Sequence, residues 1–170
     1  MTTPVFGVIG WKNSGKTTLM VRLVEAFSRR GFVVSAIKHA HHTFDIDHPG
    51  RDSHQFREAG ARQVALASPK RWALMHELRN EAEPPFEEIL SHIGPCDLIL
   101  IEGYKSGPFP KIEARSDRSL TREPLSDDDP SIVAIASDGT AASGSLPHFA
   151  LDDVTAIADF IAEHLGLKRI

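Results

Sequence analysis

Apolar residues in this chain fall into short runs cut by glycine, proline and charge, and they follow two periodicities. Residues 4–9 (PVFGVI), 32–37 (FVVSAI), 97–101 (DLILI) and 131–136 (SIVAIA) are nearly continuous apolar runs bounded by turn residues, the pattern of strands buried on both faces. Residues 18–27 (TLMVRLVEAF) carry apolar side chains at helical spacing and end in Arg29-Arg30-Gly31, which combines basic residues with a glycine stop. Residues 86–93 predict a shorter helix through Phe86, Ile89, Leu90 and Ile93, and 154–165 a terminal amphipathic helix. Strand, helix and strand are complete by residue 37, and a right-handed crossover makes the two strands parallel.

Between these elements the pattern changes. Residues 38–53 are too polar and turn-rich for a core element and predict a functional loop. A short helix follows, capped by Asp52 or Ser53 and closed by Gly60. Residues 63–67 and 72–77 predict a hairpin across Ser68-Pro69-Lys70, and 111–114 an extension of the sheet. Residues 115–130 are charged and turn-rich, predicting an exposed or mobile segment. The expected fold class is α/β: a mostly parallel sheet flanked by helices, with an additional β-hairpin or antiparallel extension, in one domain over 1–170.

The octet GWKNSGKT at 10–17 carries the chemistry. It fits G-x-x-x-x-G-K-[ST] and lies between a predicted strand and a predicted helix. Gly10 and Gly15 permit backbone shapes that let successive N–H groups face phosphate oxygens, and the helix dipole adds to the attraction. Lys16 is placed for the β- and γ-phosphates, and Thr17 for Mg²⁺. The candidate nucleotide-binding residues of this segment are Gly10, Lys12, Asn13, Ser14, Gly15, Lys16, Thr17 and Thr18. An ordinary glycine turn before a helix is the plainer alternative, and the loop by itself selects neither base nor reaction.

Glu102 ends the 97–101 run, where P-loop proteins place a carboxylate that contacts Mg²⁺ or polarises the attacking water; a capping role is the alternative. His39, His41, His42, Asp45, Asp47 and His48 admit three readings: a transition-metal site, a loop whose His39, Asp45 or Asp47 contacts nucleotide or substrate, and a solvated loop. Asp138 follows the last run, where a carboxylate can accept from a guanine base. No N-K-x-D signature is present, and a turn cap is the alternative. Lys105, Lys111 and Arg115 are candidates for a second anion, although scattered basic residues are more often solvated.

Composition narrows the partners. The chain has 170 residues with 19 basic and 23 acidic side chains, a net charge of −4 that provides no footprint for nucleic acid or an anionic membrane. The single cysteine, Cys96, excludes an intramolecular disulfide, and no apolar run approaches the roughly 18 residues of a membrane span. A cytoplasmic location is the expectation.

The segments GWKNSGKTTL (10–19), IKHAHHTFDIDHPGRDSHQFREAGA (37–61), ASPKRWALM (67–75), DLILIEGYK (97–105) and VAIASD (133–138) together resemble the MobB family of molybdopterin-guanine dinucleotide biosynthesis adapter proteins. The resemblance spans most of the chain. It implies a homodimer that binds GTP with Mg²⁺, hydrolyses it slowly, and assists the guanylyltransferase that joins GMP to molybdopterin, with molybdopterin itself a further candidate ligand. Gly15, Lys16, Thr17 and Thr18 match the family's phosphate loop, Glu102 its second nucleotide motif, and the His and Asp residues of 39–47 its characteristic loop. Related dimeric P-loop families carry a lysine at the place of Trp11, so the homodimer rests on the resemblance alone. Two alternatives of other classes stand beside this one. The first is a small-molecule kinase with Arg115, Arg118 and Arg122 as a lid, and the second a nucleotide-gated metallochaperone using His39, His41 and His42.

Overall fold

The structure is a computed structural model that describes residues 3–40, 46–121, 123–139 and 145–168. The chain forms two compact units, residues 1–39 with 93–170, and residues 40–92. In the first unit, β1 (Val5–Ile9), β2 (Val34–Lys38), β5 (Leu98–Glu102), β6 (Lys111–Arg115), β7 (Ile132–Ser137) and β8 (His148–Ala150) form one sheet in the order β2-β5-β1-β6-β7-β8. Every pairing in it is parallel.

Two helices cover one face of this sheet. α1 (Lys16–Arg29) buries Leu19, Met20, Leu23 and Phe27, a stripe at helical spacing. α4 (Val154–His164) buries Ile157, Ala158 and Ile161, and its Asp153 N-cap accepts from Ala156 N–H at 3.1 Å. They enclose Phe6, Val8, Leu98, Leu100, Ile112, Ala114, Ala134 and Ala136, alternate residues of the four central strands. α1 ends where the sequence predicts: Gly31 is left-handed at φ 86°, and Phe32 N–H donates back to Phe27.

The opposite face holds the main departure from expectation. Lys111 and Glu113, the other set of β6, are 0% and 1% exposed. Lys111 Nζ pairs with Asp129 at 2.9 Å and also donates to Ser131. Glu113 accepts from Leu125 N–H at 3.0 Å, Ser126 N–H at 3.1 Å and Arg115 at 2.7 Å. These bonds anchor the segment after β6 at Leu125, Ser126 and Asp129, while residues 117–118, 120–121, 123–124 and 127–128 are exposed as the sequence predicts; Lys111 and Arg115 are structural partners rather than solvated charges.

The second unit contains α2 (Asp52–Glu58), the antiparallel pair β3 (Gln63–Ala67) and β4 (Trp72–His76), and α3 (Phe86–Ser91). The hairpin pairs Gln63 with His76 and Ala67 with Trp72, so the predicted hairpin is present with Trp72 73% exposed at its tip. Arg57 joins Asp47 and Glu77, a buried ionic cluster within this unit. Among the described residues no helix is long and apolar enough to cross a membrane.

Candidate nucleotide site

The parallel register assembles the site. Val8 of β1 and Lys38 of β2 both lie level with Glu102 of β5, so the phosphate loop leaves the sheet beside the carboxylate, at the carboxyl edge where α/β sheets bind ligands. Gly10 has φ 149°, and a Cβ there would overlap the carbonyl oxygen of Ala114. Gly15 has φ 87°, and a Cβ would lie 2.7 Å from Leu151. Asn13 is left-handed at φ 64°, a shape asparagine tolerates better than most residues. Ser14 is 1% exposed, while Lys12 and Asn13 face solvent and the Lys12 carbonyl accepts from Ser119 Oγ at 3.0 Å.

Gly15 is the N-cap of α1 and supplies no side-chain cap, so the first-turn N–H groups lack the side-chain acceptor a Ser or Asp would provide. Lys16 Nζ donates to the Trp11 carbonyl at 2.6 Å, folded back over the loop. Burial holds its ammonium below the ordinary lysine range; Glu102 opposes that shift, and Lys105 and Lys38 reinforce it. Thr17 Oγ1 donates to Glu102 Oε1 at 2.9 Å, and Lys38 Nζ lies 3.5 Å from the same carboxylate oxygen. A hydroxyl and a carboxylate in contact form the oxygen donor set that suits Mg²⁺, which keeps waters for its other positions. The cradle fits a phosphate chain: both glycines stand where side chains would clash, and the helix terminus is uncapped.

A cavity of about 460 Å³ lies over Asn13–Thr18 with Arg118 at its side. A second, of about 490 Å³, is lined by Thr18, Arg22, Asp138, His148 and Leu151, and Arg118 borders it too. Thr18 borders both cavities. Asp138 accepts from Ser116 Oγ at 2.5 Å and from Asp117 N–H at 3.0 Å, which together hold its carboxyl below the ordinary range. It is exposed and borders the second cavity.

The remaining predicted residues divide. His39 belongs to the first unit, donates its N–H to the Glu102 carbonyl at 2.9 Å, and stacks on Tyr104 with centroids 4.2 Å apart. Asp47 lies in the second unit and is held by Arg57, with its carboxyl below the ordinary range chiefly through that hydrogen bond. His41, His42, Asp45 and Arg122 lie outside the described residues. Among the described residues no group of three or more His, Cys, Asp or Glu side chains could hold a metal ion. Of the predicted lid, Arg115 is committed to Glu113 and Ser126, and Arg118 lines the cradle. Sequence reasoning missed Glu113, Trp11 and Tyr104; the alternation in KIEAR marks Glu113 as facing away from the core of α1, but nothing local shows that its face is covered.

An all-parallel sheet with a Gly-x-x-x-x-Gly-Lys-Thr loop leaving its β1 strand, and a carboxylate on the neighbouring strand, defines a P-loop NTPase-type fold. The family model for MobB, molybdopterin guanine dinucleotide synthesis protein B, matches residues 5–138, and the chain belongs to that family. It is 37% identical over 162 residues to the molybdopterin-guanine dinucleotide biosynthesis adapter protein of Escherichia coli (strain K12), covering 94% of this chain and 92% of that one. Identity to the adapter protein of Haemophilus influenzae is 38% over 133 residues, covering 78% and 74%. The crystal structure of Bacillus subtilis MobB superposes with a TM-score of 0.74 at 26% identity, over 97% of this chain and 99% of that one.

Proposed function

We propose that this protein is a GTP-binding adapter of molybdopterin-guanine dinucleotide biosynthesis, with at most slow GTPase activity, that assists the guanylyltransferase joining GMP to molybdopterin. The observation that carries the reading is the complete phosphate cradle, Gly10 to Thr17 with Glu102 against Thr17, in a chain similar along 94% of its length to an adapter protein of that biosynthesis.

In this reading the N–H groups of 13–17 and Lys16 hold the phosphates, and Thr17 and Glu102 hold Mg²⁺. The bound cation supplies neutralisation of charge on the β- and γ-phosphates. Glu102 orients the attacking water, Thr18 sits at the α-phosphate, and Asp138 accepts from the guanine N1 and exocyclic amine. His39 fixes the main chain at Glu102, and Asp45 with Asp47 belongs to the loop that answers to nucleotide or partner. A homodimer in the cytoplasm, with molybdopterin reached directly or through the transferase, completes the proposal. Slow turnover is expected because the carboxylate at the site is already engaged by Thr17 and Lys38, leaving water activation incomplete without a partner.

The test is equilibrium binding of GTP and ATP, each with Mg²⁺, to the purified protein and to Lys16→Ala, with phosphate release followed in the same samples. GTP preference that the substitution abolishes supports the reading. Equal binding of ATP, or a robust phosphate acceptor found alongside it, would replace the reading with a kinase.

A further inference from the structure

Trp11 is a junction of the site. Its indole Nε1–H donates to the Glu123 carbonyl at 2.8 Å, fixing the ring; its own carbonyl accepts from Lys16 at 2.6 Å; and Lys105 Nζ lies 3.5 Å from the ring centroid. Two ammonium groups, one from the phosphate loop and one from the loop after β5, are thus held on a single residue.

The chain that delivers Lys105 is stiff. Gly103 (φ 92°) and Tyr104 (φ 48°) are consecutive left-handed residues, a shape that a tyrosine keeps only where its surroundings impose it. Those surroundings are visible: Gly103 N–H donates to the Val8 carbonyl at 3.1 Å, a Cβ on Gly103 would meet His39 at 3.1 Å, and Tyr104 stacks on His39. The turn therefore carries Lys105 from the carboxylate strand toward the phosphate loop.

The charges do not balance. Lys105 and Lys38 disfavour the Lys16 ammonium and Glu102 favours it, while burial pushes the Lys105 ammonium down against the pull of Glu113, a carboxylate already bonded by Arg115. Cations that outnumber their carboxylate partners favour an added anion. Lys16 already answers to the β- and γ-phosphates, and the close contact of Lys105 among the described residues is the Trp11 ring.

We propose that Lys105 is a ligand of the γ-phosphate that distinguishes a nucleoside triphosphate from a diphosphate, and that the Trp11 ring is its resting place when the γ-phosphate is absent. The inference rests on the nucleotide-binding reading above. An ammonium gains more from a phosphate oxygen than from an aromatic face that is partly open to water, so transfer to the γ-phosphate is downhill and reverses when that phosphate leaves. Loss or gain of an ammonium over the indole makes Trp11 a reporter of nucleotide state.

The experiment uses the full chain with Trp72→Phe, which leaves Trp11 as the sole tryptophan of the two present. Trp11 emission is followed during titration with Mg²⁺ and either a non-hydrolysable GTP analogue or GDP, in that background and with Lys105→Gln or Lys105→Arg added. The analogue is expected to shift the emission and GDP to leave it unchanged. Lys105→Gln should weaken the analogue about ten- to a hundred-fold, the loss of one charge-assisted contact, and GDP by no more than about twofold, which also shows that the variant is folded. Lys105→Arg should restore most of the difference. Equal weakening of both nucleotides, no weakening of either, or an emission difference that survives Lys105→Gln would overturn the inference while leaving nucleotide binding intact. Failure of the parent chain to bind either nucleotide would instead remove the underlying reading, and the inference with it.

Discussion

At the scale of single residues, Lys16 ties the site to pH. Burial disfavours its ammonium, so its free-state pKa lies below the ordinary lysine value, while phosphate oxygens favour the ammonium and raise the pKa in the complex. Affinity for nucleotide should therefore be flat below the lowered free-state value, and fall as pH rises through it toward the complex value, with proton uptake on binding in that window. Calorimetry in buffers of different ionisation enthalpy checks this; an affinity that stays flat to about pH 10 would contradict it. The same depression has a stability consequence of opposite sense. Charged Lys16 opposes folding at neutral pH and the opposition fades as pH rises, so Lys16→Met should raise the urea midpoint of the ligand-free protein while abolishing binding. Glu102 gives a second case. Its Oε1 accepts the Thr17 hydroxyl, and Glu102→Gln keeps an oxygen for that bond while losing the charge to which the proposed function assigns water and cation. Single-turnover phosphate release should drop about 10²-fold. An unchanged rate would move water activation to another residue.

At the scale of elements, β6 decides how the site is framed. Lys111, Glu113 and Arg115 alternate with Ile112 and Ala114, and the polar set is buried beneath the segment that follows. Asp129→Ala would leave the Lys111 ammonium in the interior with only Ser131, at a cost of about 3 kcal/mol, the low end for a broken buried pair because the Asp129 side chain is 26% exposed. Urea midpoints measure this, and a change near zero would mean that Lys111 reaches water when unpaired. The alternation itself is plain in KIEAR, but it says only that the two faces differ. Whether the polar face meets water or a folded-back segment is set by residues 113 and 125–131 pairing across the loop, and no local pattern contains that pairing. Hence the expectation of a solvated Lys111 fails, while that of an exposed 115–130 holds for most of the segment and misses its anchors at Leu125, Ser126 and Asp129. What was legible shares one physical cause: β1, β5 and β7 are apolar on both faces, so burial alone identifies them, and the phosphate loop is fixed by glycine and charge at set spacing. β8 escaped because three residues carry too little periodicity, and the order β5-β1-β6 because it is a matter of non-local pairing. The contact of Lys105 with Trp11 joins two loops distant in sequence and was illegible for the same reason.

At the scale of the whole molecule, the two units hold together by different means. The first has a continuous apolar core between α1, α4 and the sheet, whose contribution does not titrate. In the second, the buried apolar residues among those described are Val64 and Met75, while Asp47 and Ser53 are buried polar ones, so the Arg57 cluster with Asp47 and Glu77 carries a larger share. Arg57 donates to Asp47, and that hydrogen bond, helped by Ser53 and opposed by burial, depresses the carboxyl. A depressed carboxylate contributes stability that is complete above its unfolded value, near 3.9, and is lost as pH falls through the folded value below it. Hydrogen exchange should accordingly show amides of β3 and β4 losing protection below about pH 4, at a pH where amides of β1 and β5 are still protected. Arg57→Met should reproduce that selective loss at neutral pH, since it removes the partner and leaves Asp47 buried and charged. Loss of protection in both units together, at either pH, would mean that they unfold as one cooperative body and that the ionic cluster supports the whole chain.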